Sequence, residues 1–221
     1  MTPLARIFEF VATGVPGTKD MLIVGKIAYE EKRRDGERPH WDIIIVDSEA
    51  TGHVLPQLNA ARAMMDLAKG GIIRSQTLWI DEMLADPQRT ALTICALPEE
   101  MPAVEAIELH DRARSETRIA IGACFLNRTF PQLVTARSVR TLESAASPRH
   151  LEEARKRLGG DPAGVVVGAR LALRLAEASA KYSRRLRERM ACPVLEVPVQ
   201  AGVRSGLAIT RLVATALEQT A

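Results

Sequence analysis

Residues 41–47 read Trp-Asp-Ile-Ile-Ile-Val-Asp, and this short stretch decides the fold. The four residues Ile43–Val46 are apolar and β-branched, which is typical of a strand buried on both faces of a parallel sheet. The run ends at Asp47, which it places at the carboxyl end of that strand. Ligands bind at this edge of an open α/β sheet, so Asp47 is a candidate ligand-binding carboxylate. An aspartate that only caps the next element gives the same pattern.

The residues on both sides predict alternating strands and helices. Strands are predicted at 90–97, 118–126 and 193–197. Helices are predicted at 18–34, 55–69, 75–84, 98–115 and 205–219, and 131–190 is wholly helical apart from breaks at 147–148 and 159–162. Such alternation requires parallel strands joined by right-handed crossovers. We therefore expect an α/β fold with a doubly wound, mostly parallel sheet.

Composition excludes several classes of protein. The 221 residues are 47% hydrophobic and 26% charged, which is close to the globular average and unlike a disordered or fibrous chain. The net charge of +3 is too small to imply nucleic-acid binding. No stretch approaches the roughly 18 apolar residues of a membrane span. The cysteines Cys95, Cys124 and Cys192 are far apart, as reduced thiols are, so we expect a cytoplasmic protein.

The residues after Asp47 form a motif. Residues 47–53 read Asp-Ser-Glu-Ala-Thr-Gly-His. They resemble the second switch of the arsenical-pump and tail-anchored-protein-targeting ATPases (the ArsA-like, anion-transporting ATPases), whose pattern is Asp-Thr-Ala-Pro-Thr-Gly-His. Asp47, Thr51, Gly52 and His53 match this pattern, whereas the family's Ala-Pro pair is replaced by Glu49 and Ala50.

Four further landmarks of this family occur in the family's order. They are 16–20 (Pro-Gly-Thr-Lys-Asp), 97–101 (Leu-Pro-Glu-Glu-Met), 126–128 (Leu-Asn-Arg) and 197–206, which resembles the proline-containing adenine loop before the last helix. The resemblance covers most of the chain and implies a fold of the P-loop NTPase type.

The resemblance also implies a function, namely Mg²⁺-dependent ATP hydrolysis that drives a conformational cycle. Asp47 would hold the Mg²⁺, through water, and the Gly52 N–H would contact the γ-phosphate. Asn127 would hydrogen-bond adenine, while Pro198 and Val199 would line the faces of the base. The implied partners are ATP, a second copy or a P-loop-containing ATPase subunit in a dimer, and a membrane protein; nucleic acid is not expected.

One family motif is missing. The phosphate loop, GxxxxGK[ST], belongs upstream of the switch, but Gly25-Lys26 is followed by Ile27, and Asp20 stands where the first glycine is required. The chain therefore resembles the carboxyl-terminal two thirds of an ATPase. We expect one partial domain over 1–221, incomplete at its N-terminus, with 131–190 as a helical segment within it. The chain is either truncated or a degenerate, non-catalytic interaction subunit that pairs with a complete ATPase, and we expect it to be inactive alone.

Weaker alternatives remain. Asp47, Glu49 and His53 could ligate a metal directly, although loop carboxylates beside a helix start are more often caps. The basic stretch 181–189 could contact anionic lipid, and the methionine-rich stretch 64–84 could hold a client segment. A solvated face and ordinary core packing are the simpler interpretations of these two stretches. The arsenite-binding cysteines and the zinc-binding Cys-x-x-Cys found in some family members have no counterpart here.

Overall fold

The computed structural model describes residues 18–48, 51–67, 71–200 and 206–218. Its helices are α1 (Thr18–Lys32), α2 (Thr51–Leu67), α3 (Gly71–Ala85), α4 (Glu100–Glu116), α5 (Ala136–Ala145), α6 (Pro148–Leu158), α7 (Pro162–Arg189) and α8 (Gly206–Glu218). Its strands are β1 (Arg34–Asp35), β2 (Arg38–Pro39), β3 (Ala91–Ala96), β4 (Ala120–Thr129) and β5 (Val194–Pro198).

The chain divides into two compact units. The first comprises the described residues up to Leu92 together with Glu108–Gly122. The second comprises Thr93–Ile107 and the described residues from Ala123 onward. Three parallel strands in the order β3-β4-β5 form a sheet that belongs mainly to the second unit, and β1 pairs antiparallel with β2 in the first. The expected α/β class with a parallel sheet is confirmed.

The first unit is held together by a core between α1, α2 and α3. Met21, Val24 and Ala28 recur at helical spacing on α1 and turn one apolar stripe toward this core. Ala61 of α2 and Met83 of α3 are buried in the same cluster. Part of the methionine-rich stretch 64–84 is therefore core, as the simpler interpretation expects.

The second unit joins the sheet to the long helix α7. Strand β4 pairs with β5 in parallel register, with Cys124 opposite Val194 and Asn127 opposite Val197. Helix α7 has 28 residues, begins after the N-cap Asp161, and buries a stripe that includes Ser179 and Leu186. The helical segment predicted over 131–190 consists of α5, α6 and α7. No helix in the described ranges is both long and apolar enough to cross a bilayer.

The strand predicted at 41–46 is wrong. Residues 41–48 belong to no strand, and Ile43 and Ile45 are 75% and 84% exposed. A strand needs backbone partners for its N–H and C=O groups, and no strand of the described ranges pairs with this segment. The first residue of the segment is nevertheless held against α1, because Trp41 Nε1 donates a 3.0 Å hydrogen bond to Glu30 Oε2.

The Glu30 carboxylate, which accepts the hydrogen bond from Trp41, also pairs with two basic side chains. Lys26 Nζ lies 2.6 Å from Glu30 Oε1, and Arg33 also pairs with this carboxylate. Hydrogen bonds from Lys26, from Trp41 and from Arg33 lower the pKa of Glu30 to about 2. The carboxylate is therefore ionised, and able to accept from Trp41, throughout the physiological pH range.

Candidate ligand-binding site

An open pocket of about 900 Å³ lies in the second unit, at the carboxyl ends of the three parallel strands. All three strand exits line it, and α7 and α8 supply apolar side chains. The lining residues are Cys95, Leu97, Pro98, Glu99, Phe125, Asn127, Arg128, Phe130, Leu175, Ala178, Val197, Pro198, Val199, Gln200, Ile209, Val213 and Leu217. Open α/β sheets bind ligands at this edge, and a mostly apolar cavity with a few polar groups is typical of a small-molecule site.

A bulge at the end of β4 shapes one wall of the pocket. The register of β4 with β5 shifts between Asn127 and Thr129. Arg128, between them, has a φ of 59° and is the one non-glycine residue of the described ranges with a positive φ. Its backbone N–H donates a 2.9 Å hydrogen bond to Asn127 Oδ1. This bond fixes the orientation of the Asn127 carboxamide and leaves its NH₂ group available to a ligand.

The backbone after the bulge is fixed from two sides. The Thr129 carbonyl accepts a 2.9 Å hydrogen bond from Val199 N, which joins the exits of β4 and β5. The Phe130 N–H donates to Ser179 Oγ at 2.9 Å, and that hydroxyl donates in turn to the Leu175 carbonyl of α7 at 2.8 Å. Ser179 is 3% exposed, so these bonds lie away from water. The wall of the pocket is thus preorganised by its backbone contacts.

The exit of β5 forms the opposing wall. Pro198 and Val199 both line the pocket, and Gln200 Nε2 donates to the Pro198 carbonyl at 3.0 Å. Asn127, Pro198 and Val199, which the family resemblance assigns to adenine, therefore line one pocket, although about 70 residues separate Asn127 from the other two in sequence. A flat ring between apolar side chains, with a carboxamide at its edge, fits the shape and the donor set of this pocket.

The residues assigned to phosphate and metal lie in the first unit. Asp47 is exposed within the segment 41–48, and Gly52 is exposed in the first turn of α2. A Cβ added at Gly52 would meet no atom within 4 Å, so another group could approach its backbone closely. Nearby, Ser48 Oγ donates to Gln57 Oε1 at 3.2 Å. The interval between Asp47 and Gly52 includes 49–50, which lie outside the described residues.

Direct metal ligation gains no support from the described residues. They contain no group of three histidine, cysteine, aspartate or glutamate side chains arranged to hold a metal ion. Glu49, one member of the proposed Asp47–Glu49–His53 set, lies outside the described ranges.

Burial keeps two of the cysteines near the sheet protonated at neutral pH. Burial raises the pKa of the Cys124 thiol to about 12, and the thiols of Cys192 and Cys95 add to the shift. Burial also raises the pKa of Cys192. The thiolate is the reactive form of cysteine, so Cys124 and Cys192 are poor nucleophiles at neutral pH.

A second groove, of about 650 Å³, runs beside α7 and β5. Ser183 Oγ donates to Glu196 Oε1 at 2.6 Å, and Arg187 Nη2 lies 3.2 Å from the same oxygen. These polar groups satisfy one another, which makes their role in the groove structural.

Two features of the structure do not follow from the family landmarks. The landmark 126–128 assigns no role to Arg128, and the helical pattern around Ser179 assigns no role to its hydroxyl group. The Phe125–Phe130 stretch carried a usable signal for Arg128, because its polar pair Asn127-Arg128 interrupts the alternation of a half-buried strand. No signal in the sequence marked the Ser179–Phe130 hydrogen bond, which joins residues from separate elements.

The fold is α/β, and an open pocket lies at the carboxyl edge of its three-stranded parallel sheet. No protein-family model matches the chain. The chain is 34% identical over 124 residues to ATPase BagA of Mycobacterium tuberculosis and to a protein of Mycobacterium bovis that is named "Putative ATPase". The match covers 56% of this chain and 36% of each relative, so it spans about a third of the relatives' length.

Proposed function

We propose that this chain is the adenine-binding part of an ATPase of the ArsA-like type. The observation that carries the proposal is the pocket at the strand exits, which is lined jointly by Asn127, Pro198 and Val199. The names of the mycobacterial relatives, which describe ATPases, agree with it. In this proposal the chain forms part of one P-loop-type domain over 1–221, with 131–190 as its helical segment.

The pocket fits the base of a nucleotide. Its volume of about 900 Å³ lies within the range of small-molecule sites. The Asn127 carboxamide, whose Oδ1 already accepts from the Arg128 N–H, donates its NH₂ to a ring nitrogen of the base. Pro198 and Val199 cover a face of the ring and exclude water from it. The base is thus held by apolar contact and oriented by one carboxamide.

The phosphate and metal roles fall to Asp47 and Gly52. Mg²⁺ is usually bound through one or two carboxylates together with water and substrate phosphates, so a single exposed aspartate is a sufficient protein ligand. Asp47 would hold the ion through its water shell, and the Gly52 N–H would donate to the terminal phosphate. Loss of that phosphate would remove the contact at the start of α2, and this loss would start the conformational cycle.

The alternative is a non-catalytic subunit that pairs with a complete ATPase. The sequence contains no GxxxxGK[ST] stretch, as this alternative requires, because that loop supplies the lysine and the backbone donors that hold the β- and γ-phosphates. A truncated ATPase fits the same observation. In this case the chain retains the base pocket and joins a homodimer or heterodimer, and its partner supplies the phosphate chemistry.

The test is a pocket-filling variant with a matched control on the same helix. Ala178 of α7 lines the pocket, whereas Ala180, two residues further on, is exposed and does not. We expect Ala178→Trp to weaken the binding of adenosine and ADP, measured by NMR titration, by more than about tenfold, which corresponds to ~1.4 kcal/mol. Ala180→Trp should leave both affinities unchanged. Equal binding by both variants and the wild type would refute this pocket as the base site.

A further inference from the structure

Arg128 has a backbone conformation that its side chain does not favour. Its φ of 59° lies in the left-handed region, which glycine adopts at little cost and other residues rarely adopt. Hydrogen bonds on both sides hold it there: its own N–H bonds Asn127 Oδ1, and the next carbonyl bonds Val199 N. Strained residues that are held in this way concentrate at functional sites.

The bulge turns the Arg128 side chain into the pocket. Successive side chains of a regular strand point to opposite faces, so Phe125 and Asn127 share one face while Cys124 and Leu126 are buried on the other. Arg128 would follow the buried set in a regular strand. Instead Asn127 and Arg128 both line the pocket, and Thr129 is buried. A β-bulge that redirects a side chain beside a binding site has this effect.

The charges of the pocket point to the base rather than the phosphates. Arg128 and Glu99 are the charged residues of its lining, and their charges cancel. No carboxylate in the described part of the chain forms an ion pair with the Arg128 guanidinium, which is exposed. A cradle for polyphosphate gathers positive charge, whereas a neutral heterocycle is recognised by a mixture of donors and acceptors. Arg128 is therefore suited to donate to acceptor atoms on a ring edge.

We propose that Arg128 is a second base-contacting residue, which donates hydrogen bonds from its guanidinium to the ring of the nucleotide beside the Asn127 contact. This inference rests on the proposed function of the pocket. It assigns Arg128 to the base and assigns no phosphate contact to it.

The experiment compares adenosine with ADP in ¹⁵N NMR titrations of the full chain. The variants are Arg128→Gln, Arg128→Gly and a control, Arg174→Gln, on an exposed position of α7. We expect both Arg128 variants to weaken adenosine and ADP by the same factor, about tenfold or more, because a hydrogen bond from a charged donor is lost. Arg174→Gln should bind both ligands like the wild type.

Four other results would contradict this inference, and each has a different meaning. Weaker binding of ADP alone would mean that Arg128 contacts phosphate. Wild-type affinity in Arg128→Gly, with weak binding only in Arg128→Gln, would mean that the bulge matters and the side chain does not, because glycine favours a positive φ. Unchanged affinity in both variants would remove Arg128 from the site and leave the proposed function intact. A wild-type chain that binds neither ligand would refute the proposed function itself and, with it, this inference.

Discussion

At the scale of single residues, the site depends on hydrogen bonds that hold irregular backbone in place. Ser179 illustrates the point, because its hydroxyl accepts from Phe130 N and donates to the Leu175 carbonyl while almost wholly buried. A buried backbone N–H without a partner costs more than the average hydrogen bond contributes. Ser179 therefore links the pocket wall to α7, and its effect on stability can be measured.

We predict that Ser179→Ala lowers the free energy of unfolding by about 1–3 kcal/mol, because it leaves the Phe130 N–H unsatisfied. Urea denaturation measures the loss. Ser115→Ala is the matched control, since Ser115 is exposed and its hydroxyl bonds only carbonyls of its own helix. Substitutions at such surface positions usually change stability by less than about 0.5 kcal/mol. Similar losses in the two variants would show that the Phe130–Ser179 bond contributes nothing specific.

Cys124 gives a prediction about alkaline pH. Burial raises its pKa in the folded state from 9.0 to about 12, so between these values the unfolded chain loses a proton that the folded chain keeps. Stability from this group is fully present below pH 9 and is lost as the pH rises toward 12. We expect the wild type to lose about 1–2 kcal/mol more than Cys124→Ala between pH 8 and 10.5. Parallel stability curves for the two proteins in urea titrations would contradict the raised pKa.

At the scale of elements, the sequence pattern predicts the three strands of the parallel sheet correctly. The runs that predict strands at 90–97, 118–126 and 193–197 became β3, β4 and β5, which pair with one another. The run Ile43–Val46 has the strongest strand pattern, yet it pairs with none of the described strands. An apolar, β-branched run indicates that a segment tends to be buried. Burial in a sheet also requires neighbouring strands that pair with the segment.

The bulge at Arg128 and the β1–β2 hairpin were not predicted from the sequence pattern. The bulge at Arg128 arises where β4 and β5 change register, and those strands are far apart in sequence. The short β1–β2 hairpin was likewise missed: it turns at Gly36, whose φ of 64° suits glycine, but its strands have only two residues each and no periodicity. The family landmarks place Asn127, Pro198 and Val199 directly after predicted strand runs, and all three residues line the pocket. Their roles stay a prediction.

The exposed run 43–46 provides the test at this scale. We predict that Ile45→Glu changes the free energy of unfolding by less than about 0.5 kcal/mol, because the side chain is 84% exposed. Leu55→Ala, at a position 1% exposed in α2, should cost about 2–5 kcal/mol. Both are measured by urea denaturation of the whole chain. A loss for Ile45→Glu as large as that for Leu55→Ala would mean that the run is a buried strand after all.

At the scale of the whole molecule, the residues proposed for base binding and those proposed for phosphate chemistry lie in different units. The proposed base pocket lies within the second unit, at the exits of β3, β4 and β5. The residues assigned to phosphate and Mg²⁺, Asp47 and Gly52, belong to the first. The sequence contains no GxxxxGK[ST] stretch to add the remaining phosphate donors. Recognition of the base should therefore persist without turnover.

The last prediction follows from this separation. We expect adenosine, ADP and ATP to bind the chain with affinities that differ by less than about tenfold, because the lysine and backbone donors of a phosphate loop, whose strong contacts contribute ~1.5–3 kcal/mol each, are missing from the sequence. ATP hydrolysis, followed by release of inorganic phosphate with Mg²⁺ present, should not exceed the background measured with Asp47→Ala. Turnover that Asp47→Ala abolishes would mean that the chain holds the phosphates by residues other than a phosphate loop. An ATP affinity far above that of adenosine, without turnover, would favour a subunit that binds nucleotide completely and leaves hydrolysis to its partner.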